Sequence, residues 1–243
     1  MWSGQSLIQS GGWEAGRIGL EDKIVTLEVV KGNPLVDALI NRGNSHLGAI
    51  GYTEHGARHA NLVASIGRNI LLRLSFPERE AELAAIAGYL HDIGNVVSRH
   101  YHAQTGGVMA AHILYEMGMP ADEIATVIGA IGSHDPEGTS EPVNYVSAAV
   151  ILGDKSDVHR SRVRNTDKTK FDIHDRVNYA VERSFLKVDE KGKTITLELK
   201  IDTAISPVMD YFEIFLARMI MCRKAATFLG CNFELRINDT RLL

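Results

Sequence analysis

Cysteine is nearly absent. Only Cys222 and Cys231 occur in 243 residues, too few for a disulfide scaffold and without the spacing of a thiolate metal site, so both read as packing residues. No stretch approaches the roughly 18–20 consecutive apolar residues of a membrane span, and the N-terminal run lacks a basic segment followed by an apolar one. A cytoplasmic protein with no membrane partner is expected. An excess of basic charge is missing too: 30 acidic against 26 basic side chains give a net charge of −4, which leaves no global field to hold a nucleic-acid backbone. There is no G-x-S-x-G elbow, no catalytic-cysteine context, no P-loop and no dinucleotide-binding glycine fingerprint, so a nucleotide cofactor is not expected. Internal repeats and low-complexity tracts are lacking as well.

What remains is an ordinary globular composition, 45% hydrophobic and 23% charged, long enough for one large domain or a core with a smaller appendage. Ten histidines stand out, several of them between His46 and His134. Residues 1–20 are glycine-rich and aperiodic and read as a poorly ordered lead-in. Pro34 at a first helical position and Gly43 near the end bracket a short helix, while residues 23–30 fit a helix or a strand. Thr53 is a plausible N-cap for a helix whose stripe of Leu62, Ile66, Ile70 and Leu74 extends back through His59 and His55. Ser75 and Glu78 have the spacing of a capping box for a second helix ending at His91-Asp92. Helices over about 103–117, 121–133 and 143–157 follow, and such a succession argues for a helical core.

Near residue 183 the period changes. Ile195, Leu197, Leu199 and Ile201 alternate with Thr194, Thr196, Glu198 and Lys200, the pattern of a strand buried on one face, and Phe185–Val188 precedes it as a hairpin partner. A helix from Pro207 carries Val208, Phe212, Phe215, Met219, Cys222, Ala226 and Leu229 on one stripe, and Phe233, Leu235 and Ile237 form a third strand. The expected fold class is mostly α, with a helical core over 21–182 and a small C-terminal ββαβ appendage over 183–243.

The chemistry centres on Gly88-Tyr89-Leu90-His91-Asp92-Ile93-Gly94-Asn95. Adjacent His and Asp at a helix end can aim an imidazole nitrogen and a carboxylate at one cation, a mixed donor set suited to iron, manganese or zinc rather than calcium. Around it stand EHGARHANLV, HAQTGGVMAAHIL, AIGSHD and VILGDKSD. In this order, H…HD…H…H…D, the segment from about 46 to 165 resembles the HD-domain superfamily of metal-dependent phosphohydrolases.

That resemblance implies that His55, His91, Asp92 and Asp154 bind one metal ion. Asp92 would bridge to a second ion held by His102 and His134. Two such cations, iron or manganese in first place and zinc also compatible, can activate a shared water and clamp a phosphoryl oxygen, leaving Asp92 and Lys155 as the catalytic residues. The family register favours His55 over His59, one turn later, which reads as a packed or supporting residue. His102 is preferred to His100, His112 reads as structural, and Glu54 and Asp135 flank ligands that they can orient.

Lys155 and the basic stretch from His159 to Lys170, with Arg160 and Arg164 as its best candidates, suit recognition of substrate phosphate. The Gly-Tyr-Pro element of the cyclic-dinucleotide branch is missing after His134. The Asp154-Lys155 pair with arginine beyond it is closer to the branch that cleaves nucleotide phosphoanhydrides. The expected partner is a small phosphorylated, nucleotide-like substrate, with homo-oligomerisation left open. Two other functions use related features: a diiron oxygenase resembling myo-inositol oxygenase, and a non-catalytic metal or nucleotide sensor, which has no need of a bridged pair.

Overall fold

The computed structural model describes residues 24–136 and 141–242. The lead-in expected over residues 1–20 lies outside the described residues. The segment that fitted either helix or strand is helical: α1 spans Leu27–Lys31, with the Thr26 hydroxyl accepting the Val29 N–H. α2 runs Pro34–Ala49, capped by Asn33, whose side chain accepts from Leu35 and Val36 N–H. Gly43 does not end α2, as the sequence suggests. It lies where a Cβ would come 3.2 Å from Val96 N, so its small size admits the turn that follows His91-Asp92.

α3 spans Ala57–Arg73 and α4 spans Glu78–Leu90. Both begin differently from expectation. Gly56, rather than Thr53, is the N-cap of α3, which leaves His55 outside the helix and His59 in its first turn. Ser75 has a positive φ of 63° and gives its hydroxyl to Glu190, so the Ser75–Glu78 capping box does not form and Pro77 leads into α4 without a side-chain cap. A 3-10 turn over Ile93–Val96 connects to α5 (His102–Glu116), which is followed by α6 (Ala121–Gly132).

α7 (Tyr145–Ser156) is the centre of the core, buried at every position from Val146 to Ser156. A helix apolar all round needs neighbours on all sides, and α3, α4, α6 and α9 supply them. Its start is fixed by a reciprocal capping box between Asn144 and Ser147, contributing about 1 kcal/mol.

Beyond two 3-10 turns (Arg160–Arg162 and Lys168–Lys170), α8 covers Ile173–Ala180 and leads directly into the sheet. β1 (Val181–Asp189) pairs antiparallel with β2 (Thr194–Ile201). β2 pairs in parallel with β3 (Asn232–Ile237), with Ile195 opposite Phe233 and Leu197 opposite Leu235. α9 (Val208–Phe228) makes the crossover, and a two-residue β4 (Thr240–Arg241) adds an antiparallel edge to the expected ββαβ unit. The stripe of α9 buries Tyr211, Phe215, Met219, Cys222 and Ala226. That face packs on α7 as well as on the sheet, so the appendage shares its interior with the helical core. Among the described residues no helix is long and apolar enough to cross a membrane.

Candidate metal centre

Five helix ends meet at one end of the bundle. His59 comes from the first turn of α3, His91 and Asp92 from the C-terminal end of α4, and His102 from the first position of α5. His134 follows α6, and Asp154 lies in the last turn of α7. Helix ends bring side chains to a point without interrupting the backbone ladder, and α5 is held close by Gly94. A Cβ at Gly94 would fall 2.0 Å from the His102 carbonyl oxygen.

Each histidine is held from behind. His91 Nδ1–H donates to Gly88 O at 2.7 Å, His102 Nδ1–H to Arg99 O at 2.9 Å and His134 Nδ1–H to Ile131 O at 2.6 Å. His59 Nδ1–H donates to Asp157 Oδ2 at 2.7 Å. A carbonyl or carboxylate oxygen only accepts, so these bonds fix the proton on Nδ1 and turn the Nε2 lone pair inward. The inward atoms crowd: His59 Nε2 lies 3.2 Å from His91 Nε2, and His102 Nε2 lies 3.1 Å from His134 Nε2. With all four rings neutral, lone pairs face each other with no hydrogen between them. Donors about 2.1 Å from a shared ion and at right angles stand about 3 Å apart, so a cation between them resolves the repulsion.

Asp92 joins the two pairs. Its Oδ2 lies 3.3 Å from His91 Nε2 and 3.7 Å from His59 Nε2, while Oδ1 lies 3.3 Å from His102 Nε2 and 3.9 Å from His134 Nε2. Oδ1 also accepts from Asn95 Nδ2 at 2.8 Å. Oδ2 is buried and has no hydrogen-bond donor, an orphaned acceptor that a cation would satisfy. Asp154 Oδ1 completes the first group, 3.3 Å from His59 Nε2. Asp135 stands beside the second, with Oδ2 3.7 Å from His102 Nε2. Three overlapping sets have donor atoms close enough for an ion: His59, His91 and Asp154; His91, Asp92 and His134; His102, His134 and Asp135. The residues present therefore fit a pair of metal ions.

Ionisation suits such ions. Burial acts to raise the Asp92 and Asp154 carboxyls, yet His91, His102 and His55 around the first, and Lys155, His59 and His91 around the second, hold both well below the usual range. His134 is kept neutral by burial and by the neighbouring His91 and His102. His91 moves the other way: burial is outweighed by the Asp92 and Asp154 carboxylates, which raise it. In effect the two carboxylates pull a positive charge into the cluster.

His55, expected as a ligand, is in none of the three donor sets; His59 is. The reason is the later start of α3, which leaves His55 in the preceding loop with Nδ1 bonded to Thr53 O at 2.7 Å. It still lines the small hollow over the cluster, edge to face with His59, and burial and Arg162 hold it neutral. Lys155 lines the same hollow and is buried, with Nζ 2.6 Å from Asp154 Oδ2.

Arg160 and Arg164 are not at the cluster. Arg160 lies over the Tyr179 ring and 3.4 Å from Glu182, and Arg164 spends its guanidinium on the carbonyls of Asn44, Tyr52 and Thr53. Between them Arg162 is equally committed, to Glu54 O and Asp157 O. Arg162 and Arg164 fasten the segment after α7 onto the loop before α3. His112 is exposed beside Glu116, and Glu54 accepts from Gly56 N–H and pairs with Arg58.

Arg99 and Arg218, which sequence reasoning passed over, are the cations that face the cluster together with Lys155 and Arg162. Arg99 Nη1 is 3.3 Å from His102 Nε2, and its Nη2 is 3.5 Å from Asp135. Its position three residues before His102 on the entry to α5 was the available signal. Arg218 is distant in sequence and has no local signature. Asp157, three residues after Asp154, binds Arg58 bidentately as well as His59, and those partners hold its carboxyl far below the usual range despite burial.

Next to the cluster opens a cavity of about 300 Å³ lined by Tyr52, Thr53, His55, Arg99, Arg162, Asp172, His174, Asn178, Phe215 and Arg218. A larger one, about 380 Å³, lies between α3 and β1 against Leu62, Ile66 and Phe185 and contains none of the donors.

An uncharacterised protein of Methanocaldococcus jannaschii, MJ1020, is 28% identical over 213 residues, covering 77% of this chain and 81% of the relative. The HD domain family matches residues 54–201, more than half of the chain, and runs from the loop before α3 through β2, across the expected boundary at 182. With the paired histidines and the His91-Asp92 step at the meeting point of its helices, the chain belongs to the HD-domain superfamily of metal-dependent phosphohydrolases.

Proposed function

We propose that this protein hydrolyses a phosphoester or phosphoanhydride bond in a small, nucleotide-type substrate, using two divalent cations. Iron or manganese suits the mixed nitrogen and oxygen donors, and zinc is also compatible. His59, His91, Asp92 and Asp154 would hold one ion. Asp92, His102 and His134 would hold the other, with Asp135 beside it. The carrying observation is Asp92, which turns one carboxylate oxygen toward each pair of inward-facing imidazoles. Bound there, the ions supply an activated water and positive charge for the phosphoryl oxygens.

The chain's own residues do the rest. Asp157 keeps the His59 ring and tautomer fixed, as the carbonyls of Gly88, Arg99 and Ile131 do for the other three. Lys155 balances Asp154 and offers its ammonium to a phosphoryl oxygen in the hollow. The concentration of Lys155, Arg99 and Arg218 on one rim supports an anionic substrate over a neutral one.

Metal analysis of protein purified without chelator, followed by phosphate-release and oxygen-uptake assays on one panel of nucleotides and metabolites, tests this. Two ions per chain and phosphate release are expected, with both lost in Asp92→Ala. Oxygen uptake without phosphate release would overturn the hydrolase reading in favour of oxygenase chemistry.

A further inference from the structure

The cavity beside the cluster has two chemically different ends. His55, Arg99, Arg162 and Arg218 line both the cavity and the hollow over the donors, so its inner end is cationic. Not all of that charge is free to bind. Arg162 is engaged by Glu54 O and Asp157 O, and Arg99 leans on His102, Asn95 and Asp135 with its ring-face contact to Tyr52. Arg218 differs: its guanidinium lies over the Phe215 ring, 4.5 Å from the centroid, and among the described residues no carboxylate pairs with it. A stacked guanidinium keeps its edge open for bidentate contact with a phosphoryl group.

The outer end belongs to α8. Asp172 caps that helix through Oδ1, which accepts the Asp175 N–H at 2.7 Å, so Oδ2 remains to accept from a ligand. The Asn178 amide donates to His174 O at 2.8 Å, leaving its carbonyl oxygen as an acceptor. Acceptors with a negative charge among them bind hydroxyl groups and repel a second phosphate.

We infer that this cavity is the substrate pocket: Arg218 of α9 grips the phosphoryl group, and Asp172 restricts the outer end to an uncharged, hydroxyl-bearing group. The substrate is then a small phosphomonoester with one anionic end, rather than a polyphosphate. This rests on the hydrolase reading above. In the reaction the water oxygen bonds to phosphorus as the bond from phosphorus to the ester oxygen breaks. A proton from the water passes to that oxygen, giving an alcohol and inorganic phosphate. The appendage thus supplies part of the site through Arg218, which a metal-binding core alone lacks.

The test uses full-length, metal-loaded protein and the variants Arg218→Gln, Arg218→Lys and Asp172→Asn. Asparagine also caps helices, so the last change keeps α8 intact. Metal content and thermal midpoint are followed throughout. Calorimetric titration with inorganic phosphate should show roughly ten- to hundredfold weaker binding in Arg218→Gln with metal content unchanged, and partial recovery in Arg218→Lys. The parent should prefer a nucleoside monophosphate to the corresponding triphosphate in kcat/KM. Asp172→Asn should reduce that preference roughly fivefold.

Parent-like phosphate binding in Arg218→Gln overturns the inference even if the parent is a good phosphatase, as does a parent that prefers the triphosphate. If the parent releases phosphate from nothing on the panel yet its phosphate binding still depends on Arg218, the hydrolase reading fails while the anion site stands. Should Arg218→Gln fail to fold, the selectivity of Asp172→Asn decides: an unchanged preference overturns the inference.

Discussion

Replacing Gly94 by alanine tests whether the centre depends on close backbone contact between the turn after His91-Asp92 and α5. The new Cβ would fall 2.0 Å from His102 O, 2.6 Å from Gly106 N and 2.9 Å from His102 C. Non-bonded carbon contacts settle near 3.5 Å, so about 1.5 Å of overlap must be relieved. Both obstacles are backbone, and no side chain can rotate out of the way. Overpacking costs roughly 1–3 kcal/mol when side chains adjust, and a rigid obstacle puts this change at about 3–5 kcal/mol. For a domain of this size that lowers the unfolding midpoint by roughly 6–20 °C. The strain falls on the residue that carries His102, so α5 moves away and the His102 side of the cluster weakens more than the His59 side. Thermal unfolding of metal-free protein measures the first effect, and metal titration against a competing chelator measures the second. Gly132→Ala is the control: it lies at the end of α6 near His134, and a Cβ there meets nothing within 4 Å. It should stay within about 1 kcal/mol of the parent. A Gly94→Ala protein that melts within 2 °C of the parent, at roughly the precision of the assay, and binds both metals equally well would refute the reasoning.

His59→Gln should lose the ion on the His91 and Asp154 side while His55→Gln keeps full metal content; the opposite result in elemental analysis would restore His55 as the ligand. Asp157→Asn keeps the shape but weakens the hold on His59 Nδ1–H, and metal affinity on that side should fall roughly ten- to hundredfold in a chelator competition. An unchanged affinity would show that Asp157 only anchors Arg58. Burial pushes the Cys222 thiol up to about 12, so native protein should resist iodoacetamide at pH 8. The folded state keeps this proton where the unfolded chain, with a thiol near 8.5, loses it. Stability is therefore full below about pH 8.5 and declines above it, by up to roughly 1.4 kcal/mol per pH unit for this group. Denaturant titrations at about pH 8 and 10.5 measure the decline, which should shrink in Cys222→Ala.

Much of the fold was legible because its signals are local. The alternation Ile195, Leu197, Leu199 reports the buried face of β2, whereas the stripe Leu62, Ile66, Ile70 marks α3 as a helix but misses its buried face, which runs through His59, Ala60, Val63, Ala64, Gly67, Ile70 and Leu71. The start of α3 was harder: Thr53 and Gly56 can both cap, and the choice turns on Glu54 accepting the Gly56 N–H while Arg162 seizes the Glu54 carbonyl from 108 residues away. That one-turn ambiguity exchanges His55 for His59 in the donor set. The basic stretch misled for a related reason. A run of cations looks available in sequence, but Arg162 and Arg164 are committed to carbonyls on the far side of the chain. Arg218 gave no warning at all, since its meeting with the cluster depends on how α9 lies against α7. Contacts of that kind have no period and no neighbour to announce them.

The parallel pairing of β2 with β3 also fixes an order of assembly. A parallel pair requires its crossover, so β3 cannot take its place beside β2 before α9 has been made. Every donor of the cluster lies between His59 and Asp154, and the chain from β2 onward emerges after them during synthesis. An ion bound by these donors would hold five helix ends together, among them the end of α7, against which α9 also packs. Such an ion would serve as a clamp on the bundle as well as a reagent. Metal supply during synthesis should then govern the yield of folded protein, and not its activity alone.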